Sequence, residues 1–280
     1  MSFKKIINPV SMNMPQVDIK KIIKNSDSKF LNGLPNIVKT AIAITIKQKS
    51  LNRLFGNNSD YVGVDFPPKV LEYLKVKFDI RGEENLPEDG RCIFVTNHPF
   101  GLIDGLIVLS IVGNQYGKLR IISNDYLKYV KNLNPITVYV NVFEKNLKLH
   151  AAKIKEVYAS DFPIINFPAG FVSRVKNFKI QDREWKKSFV KKSIENKRDV
   201  VPIKISGRNS LLFYTIFLFR QVLGIKLTLE LILLPREMFR KRGKTIKVNI
   251  GHPISYQTFD NTKTYYAWAQ EVREQVYKLN

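Results

Sequence analysis

The chain of 280 residues holds three histidines, and one of them, His98, has an acid at a useful distance. In the stretch VTNHPFGLIDGLIVLS (95–110) an apolar, strand-like run ends on His98 and Pro99. After Gly101 it resumes as an apolar, helix-like run with Asp104 at its start. A carboxylate beside an imidazole fixes its tautomer, and the imidazole can then take a proton from a hydroxyl or an amine. The proline after His98 keeps that residue extended, Asn97 ends the strand, and Gly101 permits a tight turn. Loops at the carboxyl ends of parallel strands are where α/β sheets hold their ligands. The same residues also allow a structural account, with Asp104 as a plain helix cap and His98 as a turn residue bonded to backbone. No serine or cysteine nucleophile is evident beside the pair, so in the catalytic account the reacting hydroxyl belongs to the substrate.

A second group lies in INFPAGFVSR (165–174). Gly170 after a strand exposes backbone N–H groups, and Arg174 supplies a planar fork of donors suited to a phosphate or carboxylate. A basic turn without a ligand would read the same way. In VYVNVFEKN (138–146) the first basic residue is Lys145. In VVPIKISGRNS (200–210) Pro202 follows an apolar pair and has a structural, pocket-shaping character. His150 and His252 stand alone, with no second ligand at a metal-like spacing. The single cysteine, Cys92, excludes an internal disulfide and sits in an apolar run, as a buried inert thiol would.

Taken together and in this order, the segments resemble the glycerolipid (lysophospholipid) acyltransferases, the group that includes the 1-acylglycerol-3-phosphate acyltransferases. NHPFGLIDG resembles their first motif, which has four residues between histidine and aspartate where this chain has five. The longer spacing is similar to a bacterial branch of hemolysin-like proteins and ornithine- and glycine-lipid O-acyltransferases. INFPAGFVSR resembles the third motif, with Ala169 where a glutamate is usual, and VVPIKISGRNS resembles the fourth. The likeness spans about residues 70–255. It implies transfer of a fatty acyl group from a thioester, acyl carrier protein or CoA, to a hydroxyl of a lysophospholipid or lyso-aminolipid. His98 would be the general base and Asp104 its orienting partner. Phe167, Pro168, Gly170, Ser173 and Arg174, with Lys145, would bind the acceptor, and Asn97, Gly101 and Pro202 would shape the site. Backbone N–H groups near Phe100–Gly101 or Ala169–Gly170 would serve the developing oxyanion. Neither a metal nor a cofactor beyond the thioester co-substrate is implied.

The elements that must position these residues follow from periodicity. Strands are expected at 75–81, 92–96, 119–123, 137–142, 163–167, 200–205, 228–233 and 245–250. Helices are expected at 104–115, 125–132, 146–159, 183–196, 209–223 and 263–279. Strands alternating with helices predict an α/β fold, a mixed, largely parallel sheet flanked by helices. The first fifty residues carry nine lysines and two acids and read as short helices at 17–24 and 37–48. The turn-rich FGNNSDYVGVDFPP (55–68) marks a boundary. The expected organisation is a basic helical extension, 1–60, before an acyltransferase-like α/β catalytic domain, 61–280.

With 46 Lys+Arg against 24 Asp+Glu the net charge is +22. Such an excess attracts polyanions, although a lysine-rich genome yields the same balance without a special partner. There is no helix-turn-helix, zinc-finger or aromatic–basic RNA signature, and the charge is spread, so no specific nucleic acid is expected. An anionic membrane surface suits it better, with basic clusters at 186–197 and 236–247. The N-terminus lacks the features of a signal peptide. The expected location is the cytoplasmic face of the inner membrane, peripheral or monotopic. The greasy segment 211–223 is either a core helix or a part that enters the membrane. A non-catalytic, hemolysin-like membrane protein is the rival reading; an α/β hydrolase lacks its G-x-S-x-G elbow here.

Overall fold

A computed structural model describes residues 17–25, 32–123, 127, 130–139, 147–176, 178–225 and 228–280. The chain divides into two compact units, residues 1–59 and 60–280. In the first, α1 (Ile19–Lys24) is capped by Asp18, whose carboxylate accepts the N–H groups of Lys20 and Lys21. Helix α2 (Asn36–Thr45) ends at Lys47, which adopts φ +56°, and α3 (Gln48–Asn57) starts beyond it. The helix expected at 37–48 is α2, which stops short at the left-handed Lys47, and α3 is a further helix beyond it. Asn52 of α3 exchanges hydrogen bonds of 2.9 Å with both backbone groups of Val17, which ties the start of α1 to α3.

The second unit opens with α4 (Phe66–Tyr73), which the boundary reading at 55–68 overlooked. Pro67 and Pro68, which close the turn-rich stretch, occupy its first turn, where the missing N–H costs nothing. Seven strands among the described residues then form one sheet: β1 (Lys77–Arg81), β2 (Ile93–Thr96), β3 (Arg120–Ser123), β4 (Thr137–Tyr139), β5 (Ile164–Asn166), β8 (Val200–Ile205) and β9 (Thr245–Ile250). Their order is β1-β9-β8-β2-β5-β3-β4. Every described pairing is parallel except β8 with β9. The fold is thus α/β with a mixed, mostly parallel sheet, as the alternation predicts. A separate hairpin, β6 (Arg174–Lys176) and β7 (Lys179–Gln181), was not foreseen.

The flanking helices are α5 (Leu102–Tyr116), α6 (Leu147–Ala159), α7 (Ser188–Asn196), α8 (Leu211–Val222), α9 (Leu234–Arg240) and α10 (Tyr265–Lys278). In α10 the buried stripe is Trp268, Ala269, Val272 and Val276, while Tyr265 is exposed. Helix α7 starts later than expected because residues 183–186 are not helical. There the Trp185 N–H donates to Gln270 and the Lys186 N–H to the Pro168 carbonyl. The strand expected at 228–233 is a 3-10 turn, Leu229–Leu233. Its leucines suit a strand, but Glu230 has to face two arginines, and the tight turn puts it there. Half of the helix expected at 125–132 lies outside the described residues, and its described end enters a 3-10 turn, Lys131–Ile136; the end of the strand expected at 137–142 also lies outside them.

Strand β2 is buried along its whole length, and β5 and β8 flank it in parallel. The carboxyl ends of three adjacent strands therefore release their loops on one edge, and those loops carry the first, third and fourth motifs. Pro202 sits inside β8 opposite Val95. On the β9 side the ladder pairs Ile203 with Ile250, and the next bridge joins Val200 to Ile254. Residues 251–253 bulge between them, so Pro202 stands where a proline is tolerated.

Candidate active site

Asn97 leaves β2 with its side chain buried. Its amide donates to the Ile205 carbonyl at 2.9 Å and accepts the Ile205 N–H at 2.7 Å, extending the β2–β8 ladder by one side chain. His98 follows. Its backbone carbonyl accepts the Ser173 N–H at 2.8 Å, which pins the first-motif loop to the third. Its ring lies against Phe167, with centroids 4.3 Å apart and planes tilted by 45°. Gly101 turns the chain into α5 with φ +94°, a conformation that side chains disfavour. A β-carbon there would come within 2.8 Å of a Leu234 methyl.

Asp104 lies in the first turn of α5 and is fully buried. Its Oδ2 accepts the N–H groups of Phe100 at 2.8 Å and Gly101 at 3.2 Å. Its Oδ1 accepts the Gly105 N–H at 2.9 Å and stands 3.1 Å from His98 Nδ1. The capping and the imidazole-facing accounts are thus both true of one carboxylate. The distance is right for a hydrogen bond, but the Nδ1–H direction is not aligned to complete one. Catalytic hydrogen bonds often tighten only when substrate is bound. Burial by itself lowers the pKa of the His98 imidazole; the Asp104 carboxylate, with Asp182 beyond it, outweighs burial and holds it above the ordinary histidine value.

Asp182 escaped sequence reasoning. It follows β7 and is buried. One oxygen accepts the Ser173 hydroxyl at 2.6 Å and the His98 N–H at 3.2 Å; the other accepts the Trp185 indole N–H at 3.0 Å. Its own N–H donates to the Tyr277 hydroxyl at 2.7 Å. Burial raises its pKa against the pull of those hydrogen bonds. The only hint in the sequence is an acid within a strongly basic stretch.

The third motif reaches the site with a division of labour that its letters do not show. Gly170 turns the chain at φ +68°. Ser173 is committed to Asp182. Arg174 is buried, with its guanidinium donating to the Val172 carbonyl at 2.7 Å and to Glu230 at 3.1 Å. It also lies over the rings of Phe213 and Phe217. Arg220 meets the other side of Glu230 at 2.9 Å. The cation that stands over the Gly170 turn is Lys186, whose Nζ would lie 3.3 Å from a β-carbon placed there. Lys145 lies outside the described residues. Of the four backbone donors named for an oxyanion, Phe100 and Gly101 are taken by Asp104, and Gly170 by the Phe167 carbonyl at 2.9 Å. A cavity of about 210 Å³ opens beside the His98 loop, lined by Asn97, Pro99, Ser173, Lys204 and Tyr277 among others.

This geometry can orient an imidazole, take a proton and hold an anionic group beside it. The family described as Acyltransferase matches residues 22–280. The chain belongs to that acyltransferase family and is an O-acyltransferase. It is 42% identical over 264 residues to a lyso-glycine lipid O-acyltransferase of Phocaeicola vulgatus, covering 94% of this chain and 95% of that one. It is 39% identical over 264 residues to a lyso-glycine lipid O-acyltransferase of Bacteroides thetaiotaomicron, covering 94% and 97%. Among solved structures it is similar to the 1-acyl-sn-glycerophosphate acyltransferase PlsC of Thermotoga maritima. That likeness has a TM-score of 0.49 and 18% identity, over 76% of this chain and 75% of that one.

Proposed function

We propose that the enzyme transfers a fatty acyl group from the thioester of acyl carrier protein or CoA to the hydroxyl of a lyso-glycine lipid. The observation that carries the chemistry is the 3.1 Å approach of Asp104 to His98 Nδ1, which leaves Nε2 as the ring's acceptor. Nε2 takes the acceptor's hydroxyl proton as the oxygen attacks the thioester carbonyl. The tetrahedral oxyanion then collapses, the C–S bond breaks, and the imidazolium returns its proton to the leaving thiolate. Asp104 holds the ring and stabilises its charged form without taking the proton. With three of four nearby backbone donors already bonded, the Ala169 N–H is the donor left for the oxyanion. The scheme uses no metal and no cofactor beyond the thioester.

The two relatives named above supply the acceptor class. A glycine joined through its nitrogen keeps one carboxylate, a smaller and less charged head than a phosphate monoester. One ammonium, that of Lys186 over the Gly170 turn, suits such a head. The +22 charge supports work at an anionic membrane surface, with the cytoplasmic face as the expected side. Among the described residues no helix is long and apolar enough to cross a membrane.

The test is an acyl-transfer assay with purified protein. Acyl carrier protein and CoA thioesters are each paired with lyso-glycine lipid, lysophosphatidate and other lyso-aminolipids. Acylation of lyso-glycine lipid, nearly all of it lost in His98→Ala, is expected. Equal turnover by His98→Ala would sink the base assignment, and a preference for lysophosphatidate would sink the acceptor.

A further inference from the structure

Helix α8 has two opposite faces. Phe213, Tyr214 and Phe217 are buried, and from beneath, the Arg174–Glu230–Arg220 cluster holds the helix in place. The other arc carries Leu211, Leu212, Leu218, Phe219, Val222 and Leu223, all exposed. Leu211 is 82% exposed, Phe219 64% and Val222 84%, values far above those of an ordinary surface helix. Of the two readings of 211–223, the core-helix one describes the inner face only.

Among the described residues, the chain segment that carries this face has exposed charge of one sign. From residue 208 to 248 the only acids are Glu230 and Glu237, and both are buried. Among the described residues of that segment the exposed charges are basic: Arg208, Arg240, Arg242, Lys244 and Lys247. Arg236 and Arg240 sit on α9, whose Glu237 accepts the Ser210 N–H and hydroxyl, each at 2.7 Å, at the start of α8. An apolar arc in a segment whose exposed charges are basic matches an anionic lipid surface, where arginines meet head groups and aliphatic side chains meet acyl chains. Twelve residues of helix span about 18 Å, short of the roughly 30 Å of a hydrocarbon core, so the helix would lie along the interface.

We propose that the outer face of α8 is the surface by which the enzyme enters an anionic bilayer, and that this sets the active site at the lipid boundary. The link to the site is direct. Asn209, just before α8, donates from its side chain to the Phe100 carbonyl at 3.3 Å, two residues from His98. Lys241 lies over the Phe100 ring and donates to the Arg208 carbonyl at 2.7 Å. A lysolipid moving in the bilayer would meet the His98 loop without leaving the interface. The proposal takes its purpose from the lysolipid reading above, but its test needs no turnover.

The full chain is sedimented with vesicles of phosphatidylcholine alone or mixed with phosphatidylglycerol, beside the variant Leu218→Ser/Phe219→Ser/Val222→Ser. Wild type should pellet with the mixed vesicles and be released by salt. The variant, changed only at outward positions, should keep its melting temperature and bind about ten-fold or more weakly. As a second probe, Arg208→Glu/Arg240→Glu should lose the preference for mixed vesicles. Equal pelleting of wild type and the triple variant would overturn the proposal. So would a wild-type dimer in light scattering that the triple variant turns into a monomer, because the face would then join two copies of the chain. A protein that pellets as expected but acylates no lysolipid would sink the functional reading and leave the docking face standing.

Discussion

His98 Nδ1 and Asp104 Oδ1 lie 3.1 Å apart, although five residues separate them. Gly101, with a φ of +94°, turns the loop into the helix start. One carboxylate thereby caps α5 and faces the imidazole. Without the caps on Phe100, Gly101 and Gly105 the carboxylate would be free to turn away from the ring.

That pairing dictates a pH dependence. In the proposed mechanism His98 must be neutral to act as the base, and its pKa is raised above the ordinary 6.5. Turnover should therefore fall as pH drops through an apparent pKa above 6.5. In Asp104→Asn the carboxylate that raises it is gone, so the acid limb should move to lower pH. The plateau rate should also drop by roughly 10²- to 10⁴-fold. A limb that stays put in the variant would dissociate the two residues. Profiles of kcat/KM against pH for both proteins provide the check.

Asp182 makes a separate prediction. Three donors, from His98, Ser173 and Trp185, converge on its two oxygens. Asp182→Asn leaves one acceptor oxygen and an amide facing donors. The expected loss is about 1–3 kcal/mol of stability, with kcat reduced because the His98 loop loses its anchor. Thermal unfolding and kcat measured together check this; a variant as stable and as fast as wild type would refute it.

Arg174 and Lys186 should separate in kinetics. Arg174 is buried against Glu230, so Arg174→Met leaves a carboxylate with one fewer partner and should cost about 3–5 kcal/mol. Lys186 is exposed over the Gly170 turn. Lys186→Ala should leave the melting temperature unchanged and raise KM for the acceptor about ten-fold, the loss of one charge-assisted contact. The reverse pattern, a KM effect at Arg174 and a stability effect at Lys186, would reassign the anion clamp.

Gly101→Ala tests the turn itself. The new methyl meets Leu234 at 2.8 Å and Val172 at 3.0 Å, in a backbone region that alanine avoids. A cost of about 1–3 kcal/mol is expected, along with a lower kcat, because the displaced turn joins His98 to the helix start that carries Asp104. Denaturant unfolding and steady-state turnover check it, and an unperturbed variant would show that the turn tolerates a side chain.

The sequence alone determined much of this. Buried strands such as IFVT in β2 and VVPIKI in β8 declare themselves by composition, and the alternation with helices dictates a mostly parallel sheet. His98 and Asp104 were legible because they are neighbours in the chain, so one turn brings them together. What tertiary structure decided is everything that depends on segments far apart in sequence. Asp182 lies 84 residues from His98 and meets its N–H only because the hairpin β6–β7 packs under the β2 loop. Glu230 draws its segment into a 3-10 turn because Arg174 and Arg220 arrive from other elements, and that pairing takes Arg174 into the protein interior. Periodicity shows which residues are apolar. It does not show which buried charge will find which partner, because that choice is made by desolvation across the whole fold.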